Sequence, residues 1–238
     1  MKFSLILFTS LLLISCQVQS AEIEKENAMT EIVLKETYPE LIAQVKKKQT
    51  EIKAAYQKAD STKRDSIIEA AQDYLLTTIT TEFFNHWYGT EWDFNGTTRT
   101  PREGKIACGY FITTVLTDAG FKIPRVYWAQ QASEYYIKRM TTDIKRYSGA
   151  SIEKVMAYFK EREDGLYVVG LDSHVGFVYK RGKKLQFVHA SYYNPEEGVK
   201  SENLDSKNPL SASEYRVIGR ILDKEMVRKW ILEEEWSK

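Results

Sequence analysis

Apolar positions along the chain change their period twice. Over residues 31–59, a stretch rich in Glu, Lys, Ala and Gln, the positions Ile32, Tyr38, Leu41, Ile42, Val45, Ile52 and Tyr56 fall at helical intervals, and Pro39 is placed to open a helix. Ser61 reads as an N-cap. Behind it Ile67, Ile68, Ala71, Tyr74, Leu75 and Ile79 mark one face of a second helix running to about Phe84. The pair predicts a helical hairpin packed beside the rest of the chain, a spacer without chemistry of its own. Residues 85–96 are aromatic and turn-rich, and residues 97–104 read as loop. Residues 106–119 regain the helical period and stop at Gly120, a C-terminal cap. Pro124 starts a further segment, and residues 129–160 read as two helices parted near Ser148 and Gly149.

Past residue 160 the period becomes two. Residues 166–170, 174–180 and 185–191 read as strands, with Arg181-Gly182-Lys183 as a hairpin turn between the second and third. Residues 192–212 form a polar loop containing Pro195 and Pro209. Residues 215–221 are a fourth strand and residues 223–236 a terminal helix. Helices first and antiparallel strands later define an α+β chain, helices packed on a small antiparallel sheet, and not a βαβ alternation.

The N-terminus stands apart. Met1-Lys2, an apolar stretch over 3–14 and then Ser15-Cys16 follow the charge, apolar core and small-residue pattern of a secretory signal. Leu13-Ile14-Ser15-Cys16 resembles the lipobox of bacterial lipoproteins. That resemblance implies cleavage before Cys16 and lipidation of its thiol, so that several acyl chains hold the protein firmly on a membrane. The alternative is an ordinary signal cut near Ala21, with Cys16 discarded. Gln17, in place of an Asp, favours the outer membrane. Residues 17–30 are polar and aperiodic, a tether. The chain therefore divides into a signal peptide (1–15), a tether with helical extension (16–84) and a larger domain (85–238), in a bacterial cell envelope.

Composition narrows the partners. Of 238 residues, 43% are hydrophobic, 28% charged and 13% aromatic, with five Pro and twelve Gly, a globular profile. Thirty-four Lys and Arg against thirty-three Asp and Glu leave no global basic field, which argues against nucleic acid as a partner. No apolar run reaches the roughly 18 residues of a spanning helix. The two cysteines, Cys16 and Cys108, cannot make a disulfide framework.

Cys108 falls at the start of a predicted helix, where the helix N-terminus favours the thiolate. A small buried cysteine is the ordinary alternative. The histidines shift the balance. Of His86, His174 and His189, the last two lie on consecutive predicted strands joined by a tight turn. If the turn centres on Gly182, they stand nearly opposite each other. A cysteine on a helix end packed against such a sheet completes a nucleophile, a base and an orienting group.

These blocks resemble the NlpC/P60 family of papain-like cysteine peptidases, which cut bacterial cell-wall peptides. Residues 88–96 (Tyr-Gly-Thr-Glu-Trp-Asp-Phe-Asn-Gly) are similar to a family segment of Gly-Thr-Pro-Tyr type. Ala107-Cys108-Gly109-Tyr110-Phe111, then Asp118-Ala119-Gly120 and Ile123-Pro124-Arg125, resemble its Asp-Cys-Ser-Gly-Phe helix and the Leu-Pro-Arg after it. Asp164-Gly165-Leu166-Tyr167-Val168 is similar to its Pro-Gly-Asp-Leu-Val strand. Ser173-His174-Val175-Gly176-Phe177-Val178 and Phe187-Val188-His189-Ala190-Ser191 resemble its pair of His-bearing strands. The match spans about residues 85–222, and Cys before His argues against permuted relatives.

The resemblance implies that Cys108 is the nucleophile, His174 the base and His189 the third polar residue. It also places Trp92, Gly109 and Ser173 on the substrate. The substrate would be a peptidoglycan stem peptide, cleaved through an acyl-enzyme by a monomer anchored through Cys16. No metal or cofactor is needed. Two His and one Cys are also a zinc set, but close-spaced ligand pairs such as Cys-x-x-Cys are missing. The sequence departs from the family at Ala107, where an Asp reads the substrate's free amine, at Gly109, where a Ser is usual, and at Trp92, where a Tyr is usual. Trp92, Trp87 and Trp128 read equally well as core, and His86 as structural. Residues 129–160 exceed the usual connection and read as an insert that shapes or covers the cleft. Two alternatives follow: a wall-peptide-binding lipoprotein that cleaves nothing, or the same thiol chemistry on a non-wall acyl bond.

Overall fold

Helix α1, Tyr38–Lys58, opens with Pro39 in its first turn. Helix α2, Ser61–Thr78, is capped by Asp60, whose carboxylate accepts the Lys63 N–H at 2.9 Å, so the cap lies one residue before Ser61. A π-helical turn, Ile79–Phe83, carries α2 straight into a short helix α3, Phe84–Trp87. The structure, a computed structural model, describes residues 36–238; the expected signal peptide, Cys16 and the expected tether lie outside the described residues.

Two short strands, β1 (Glu91–Trp92) and β2 (Lys105–Ile106), pair in parallel and bring the aromatic segment against the start of helix α4, Cys108–Asp118. Helices α5 (Arg125–Ala129) and α6 (Ser133–Met140) follow. Then come strand β3 (Ile144–Ser148), helix α7 (Ile152–Glu161), and strands β4 (Gly165–Leu171), β5 (Val175–Arg181), β6 (Lys184–Ala190) and β7 (Val199–Glu202). A short helix α8 (Pro209–Ala212), strand β8 (Tyr215–Ile221) and helix α9 (Lys224–Leu232) complete the chain. The six longer strands form one antiparallel sheet in the order β3-β8-β4-β5-β6-β7. The architecture is α+β.

Strand alternation divides the core into two. Leu166, Val168, Phe177, Tyr179, Val188 and Val217 point to one face and pack on Phe84, Phe111, Val115 and Trp230 from the helices. Tyr167, Val169, Val178, Phe187 and Ile218 point to the other, where Val155 and Phe159 of α7 cover them. The helical hairpin belongs to the first core: Leu41, Val45, Ile68 and Leu75 are buried in it. Polar ties hold it there. The Tyr38 hydroxyl donates to Asp118 at 2.9 Å and accepts from the Trp87 indole at 2.9 Å. Gln49 donates to the carbonyls of Trp230 at 2.7 Å and Gly120 at 3.2 Å. Residues 84 and 85, the expected boundary of the larger domain, sit side by side in α3.

Three expectations change. Residues 144–148, read as helical, are β3, paired to β8 with Ile144 opposite Gly219. Residues 192–212, read as loop, contain β7 and α8. The hairpin turn narrows to Gly182 and Lys183, with Gly182 at φ 58°. In each missed strand charged and polar side chains break the period-two signal that a strand with one apolar face would have produced. Among the described residues no helix is long and apolar enough to cross a membrane.

Candidate active site

Helix α4 starts at the rim of a cleft. Its first internal hydrogen bond is Phe111 N–H to the Ala107 carbonyl at 2.9 Å, so the N–H groups of Cys108, Gly109 and Tyr110 have no partner within the helix. Cys108 is half-buried and is the free cysteine of the described chain. Gly109 has no room for a side chain: a Cβ there would stand 2.4 Å from the Ala129 carbonyl oxygen, so α4 and α5 touch backbone to backbone.

His174 ends the loop between β4 and β5, which is closed by the Leu171 N–H on the His174 carbonyl at 2.8 Å. The Asp172 carboxylate anchors this loop to the start of β8 through the N–H groups of Glu214 at 2.8 Å and Tyr215 at 2.9 Å. The register pairs Phe177 with Val188, which continues to set Gly176 across from His189. His174 is therefore diagonal to His189 on the same face, not directly opposite. The missing side chain at Gly176 makes the meeting possible. A Cβ there would lie 2.3 Å from the Phe187 ring and 3.0 Å from the His189 Cβ. Phe187 stacks on the His189 ring, centroids 4.3 Å apart.

The outcome is a relay of polar atoms. His174 Nε2 and His189 Nδ1 are 2.9 Å apart, the rings nearly perpendicular. His189 Nε2 meets Glu202 Oε2 at 2.9 Å, and Glu202 Oε1 meets Lys200 Nζ at 2.9 Å. His189 is fully buried and His174 nearly so. Burial pushes the His174 pKa well below its ordinary value, and the neighbouring His189 adds to this. Burial also lowers His189, against the pull of Glu202. The Cys108 thiol is pushed up by burial, opposed by the backbone N–H groups of Val175, Gly109 and Cys108 itself. This corrects the expectation of a lowered thiol: the helix N-terminus acts in the expected sense, but desolvation outweighs it. Both shifts favour the neutral forms, a thiol at Cys108 and a neutral imidazole at His174.

Cys108 and His174 line the same cleft, which has two lobes. One, about 650 Å³, is bounded by Trp92, Phe94, Tyr110, Gln130 and Tyr192 among others. Its lining contains no Asp, Glu, Lys or Arg. The other, about 510 Å³, is bounded by Ser133, Glu134, Tyr136, Asp172 and Tyr215 among others. Both carboxylates of the second lobe are engaged. Asp172 holds the two N–H groups already named, and Glu134 is paired with Arg146 and Lys138 and accepts from the Tyr215 hydroxyl. Cys108, Gly109, Ala129, Gln131, Ser173 and His174 belong to both lobes. The Trp92 indole N–H and the Tyr136 hydroxyl, one at each lobe, have no hydrogen-bond partner within the protein.

Every site residue expected from the sequence, Cys108, His174, His189, Trp92, Gly109 and Ser173, thus lies at the cleft or in the relay behind it. Cys16 lies outside the described residues. The long connection over 129–160 contributes Gln130, Gln131, Ser133, Glu134 and Tyr136 to the cleft wall. Trp87 and Trp128 are fully buried core, Trp128 stacked on Tyr136. His86 is buried against the Tyr38 ring. The sequence reading missed Glu202 and Tyr192. Tyr192 stands 5.2 Å from the His174 ring, and its one signal was an aromatic pair directly after the second His-bearing strand. Among the described residues no group of three or more His, Cys, Asp or Glu is arranged to hold a metal ion.

No protein-family model matches this chain, and no curated protein matches it in sequence.

Proposed function

We propose that the protein is a cysteine amidohydrolase of NlpC/P60 type, with a papain-like arrangement of a cysteine-bearing helix end against an antiparallel sheet. In this reading it is a lipoprotein of the bacterial cell envelope, held through Cys16, that cuts amide bonds of peptidoglycan stem peptides. The observation that carries the reading is that His174, held from behind by buried His189 at 2.9 Å, lines the same cleft as Cys108.

The chemistry follows from these groups. His174 Nε2 is engaged by His189, which leaves Nδ1 to take the Cys108 proton. The sulfur attacks the substrate carbonyl carbon, and the C=O electron pair moves onto oxygen. The N–H groups of the first turn of α4, which have no partner within the helix, are the donors available to that oxyanion. The tetrahedral intermediate collapses, the C–N bond breaks and the amine leaves with the proton from His174. Water, deprotonated by the same nitrogen, hydrolyses the thioester and restores the thiol.

One observation favours a second reading, the same chemistry on a different acyl compound. Ala107 stands where an amine-binding carboxylate is expected, and the larger lobe is lined by neutral and aromatic groups. Such a lobe suits an uncharged acyl group better than a free ammonium. Mass spectrometry of purified muropeptides incubated with wild type and with Cys108→Ala tests both. Fragments released by wild type alone support wall-peptide hydrolysis. An unchanged muropeptide set, together with Cys108-dependent hydrolysis of neutral acyl esters, selects the second reading.

A further inference from the structure

We infer that Glu202, on the edge strand β7, is a positioning residue that fixes the tautomers of both histidines and so leaves the His174 Nδ1 lone pair free for the thiol.

The placement is set by strand register. Ala190 pairs with Val199, His189 with Lys200 and Phe187 with Glu202, so Lys200 and Glu202 share the face that carries His189. The carboxylate reaches diagonally to the His189 Nε2 at 2.9 Å, and its second oxygen is held by Lys200 at 2.9 Å. Lys200 is itself steadied by Glu197 at 2.7 Å. Burial raises the Glu202 pKa, but the bonds to His189 and Lys200 outweigh it and hold the group below its ordinary value. At neutral pH it is a carboxylate, which accepts hydrogen bonds and donates none.

The tautomers follow by elimination. Glu202 can only accept, so His189 carries its proton on Nε2. A neutral His189 then presents a lone pair at Nδ1. The group facing that lone pair, His174 Nε2, must be the donor. His174 is thereby left with its lone pair on Nδ1, the nitrogen not engaged by His189. One carboxylate two rings away from the sulfur decides which nitrogen acts. When His174 becomes an imidazolium, it still donates to His189, and the Glu202 charge lies behind the pair. The charged and titratable neighbours of His189 are His174, Glu202 and Lys200, and Cys108 and Tyr192 lie beyond on the His174 side.

The inference rests on the proposed thiol–imidazole reading for its catalytic meaning, but its test needs no substrate. Long-range nitrogen–proton NMR of the three imidazoles reads each tautomer directly, and iodoacetamide reads the thiol as a function of pH. The expected spectra show Nε2–H for His174 and for His189 at pH 7. In Glu202→Ala the His189 preference collapses and His174 follows, with alkylation of Cys108 slower by about 10- to 100-fold, the range seen when the hydrogen-bond partner that orients a metal-bound histidine is removed. In Glu202→Gln the amide oxygen still accepts, so the tautomers persist. The acid limb of alkylation then moves to lower pH, because the charge that favours the imidazolium is gone. Lys200→Met keeps the acceptor and is expected to keep both tautomers. His189 found as Nδ1–H in wild type overturns the inference. So does Glu202→Ala with unchanged tautomers and profile, or Lys200→Met as damaging as Glu202→Ala, which would reduce Glu202 to a strand tie. If tautomers behave as expected but no muropeptide is cut, only the wall-peptide reading falls.

Discussion

His174 and His189 touch through Nε2 and Nδ1 at 2.9 Å, with ring centroids 5.0 Å apart and ring planes at 87°. An edge-on contact of this kind puts the two rings in a line of proton donors and acceptors and not in a stack. Because His189 is walled in by Phe187 and the sheet, it cannot turn without disturbing the core, and His174 inherits that rigidity.

Replacing His174, the proposed base, should therefore cost more than replacing its support. His174→Ala is expected to lower the turnover of any acyl substrate by about 10²- to 10⁴-fold, the range for loss of a positioned general base. His189→Asn, whose side-chain oxygen still accepts from His174, is expected to lose less. Steady-state kinetics on the best substrate from a muropeptide and ester panel checks this. Equal losses in the two variants would place both rings in the same role.

The buried histidines should make the fold acid-sensitive. His86, His174 and His189 all have pKa values pushed below the ordinary 6.5 by burial. Above that pH both folded and unfolded chains hold neutral rings. As pH falls below 6.5 the unfolded chain takes up protons that the folded chain refuses, so stability is lost on acidification, by up to about 1.4 kcal/mol per pH unit for each histidine. Urea unfolding from pH 7 to pH 5 is expected to show a falling midpoint, with a shallower fall in His174→Phe. A midpoint constant across that window contradicts neutral burial.

Gly176 leaves no room for a side chain beside the imidazole pair. Gly176→Ala places a methyl 2.3 Å from the Phe187 ring and 3.0 Å from the His189 Cβ, so one of the two rings must shift. Overpacking of this kind costs about 1–3 kcal/mol. The larger effect is expected on the imidazole pair, as a displaced His189 resonance and reduced Cys108 reactivity in a chain that remains folded. Full reactivity in a folded Gly176→Ala would show that the pair does not depend on this close approach.

The helical hairpin is expected to matter for stability and not for chemistry. Among the described residues the cleft is lined from residue 92 onward, with nothing from α1 or α2. Tyr38→Phe removes a donor to Asp118 and an acceptor for the buried Trp87 indole, and leaving such a group unpaired costs about 1–3 kcal/mol. Chemical denaturation reads the loss. Activity per folded molecule should stay at the wild-type value.

Much of this was legible in the sequence because the relevant signals were strong and local. The helical spacing of Phe111, Ile112, Val115 and Leu116 behind Cys108 gave the helix, and the period-two strands on either side of Gly182 gave the hairpin that brings the histidines together. What escaped was short or polar. Val199-Lys-Ser-Glu202 has one apolar residue in four, so an edge strand reads there as loop, and with it the carboxylate that steadies His189 was lost. Ile144-Lys-Arg-Tyr-Ser148 pairs only with β8 and keeps its charged side chains in solvent, which likewise erases the alternation. The thiol's raised pKa was illegible for another reason: helix position can be read from sequence, whereas desolvation depends on what the fold packs around the sulfur. The glycine after Cys108 received its explanation only from the 2.4 Å approach to the Ala129 carbonyl.

The most direct test of the thiol–imidazole pair is the rate of Cys108 alkylation by iodoacetamide across pH in wild type and His174→Ala. Without its proton acceptor the buried thiol should ionise only above its ordinary range, because burial pushes it up. At pH 7 the variant is expected to react at least about tenfold more slowly than wild type and to show a single alkaline limb. Wild type should keep its rate down to below pH 6.5, where His174 finally charges. Superimposable rates and pH profiles for the two proteins would contradict the pairing of Cys108 with His174.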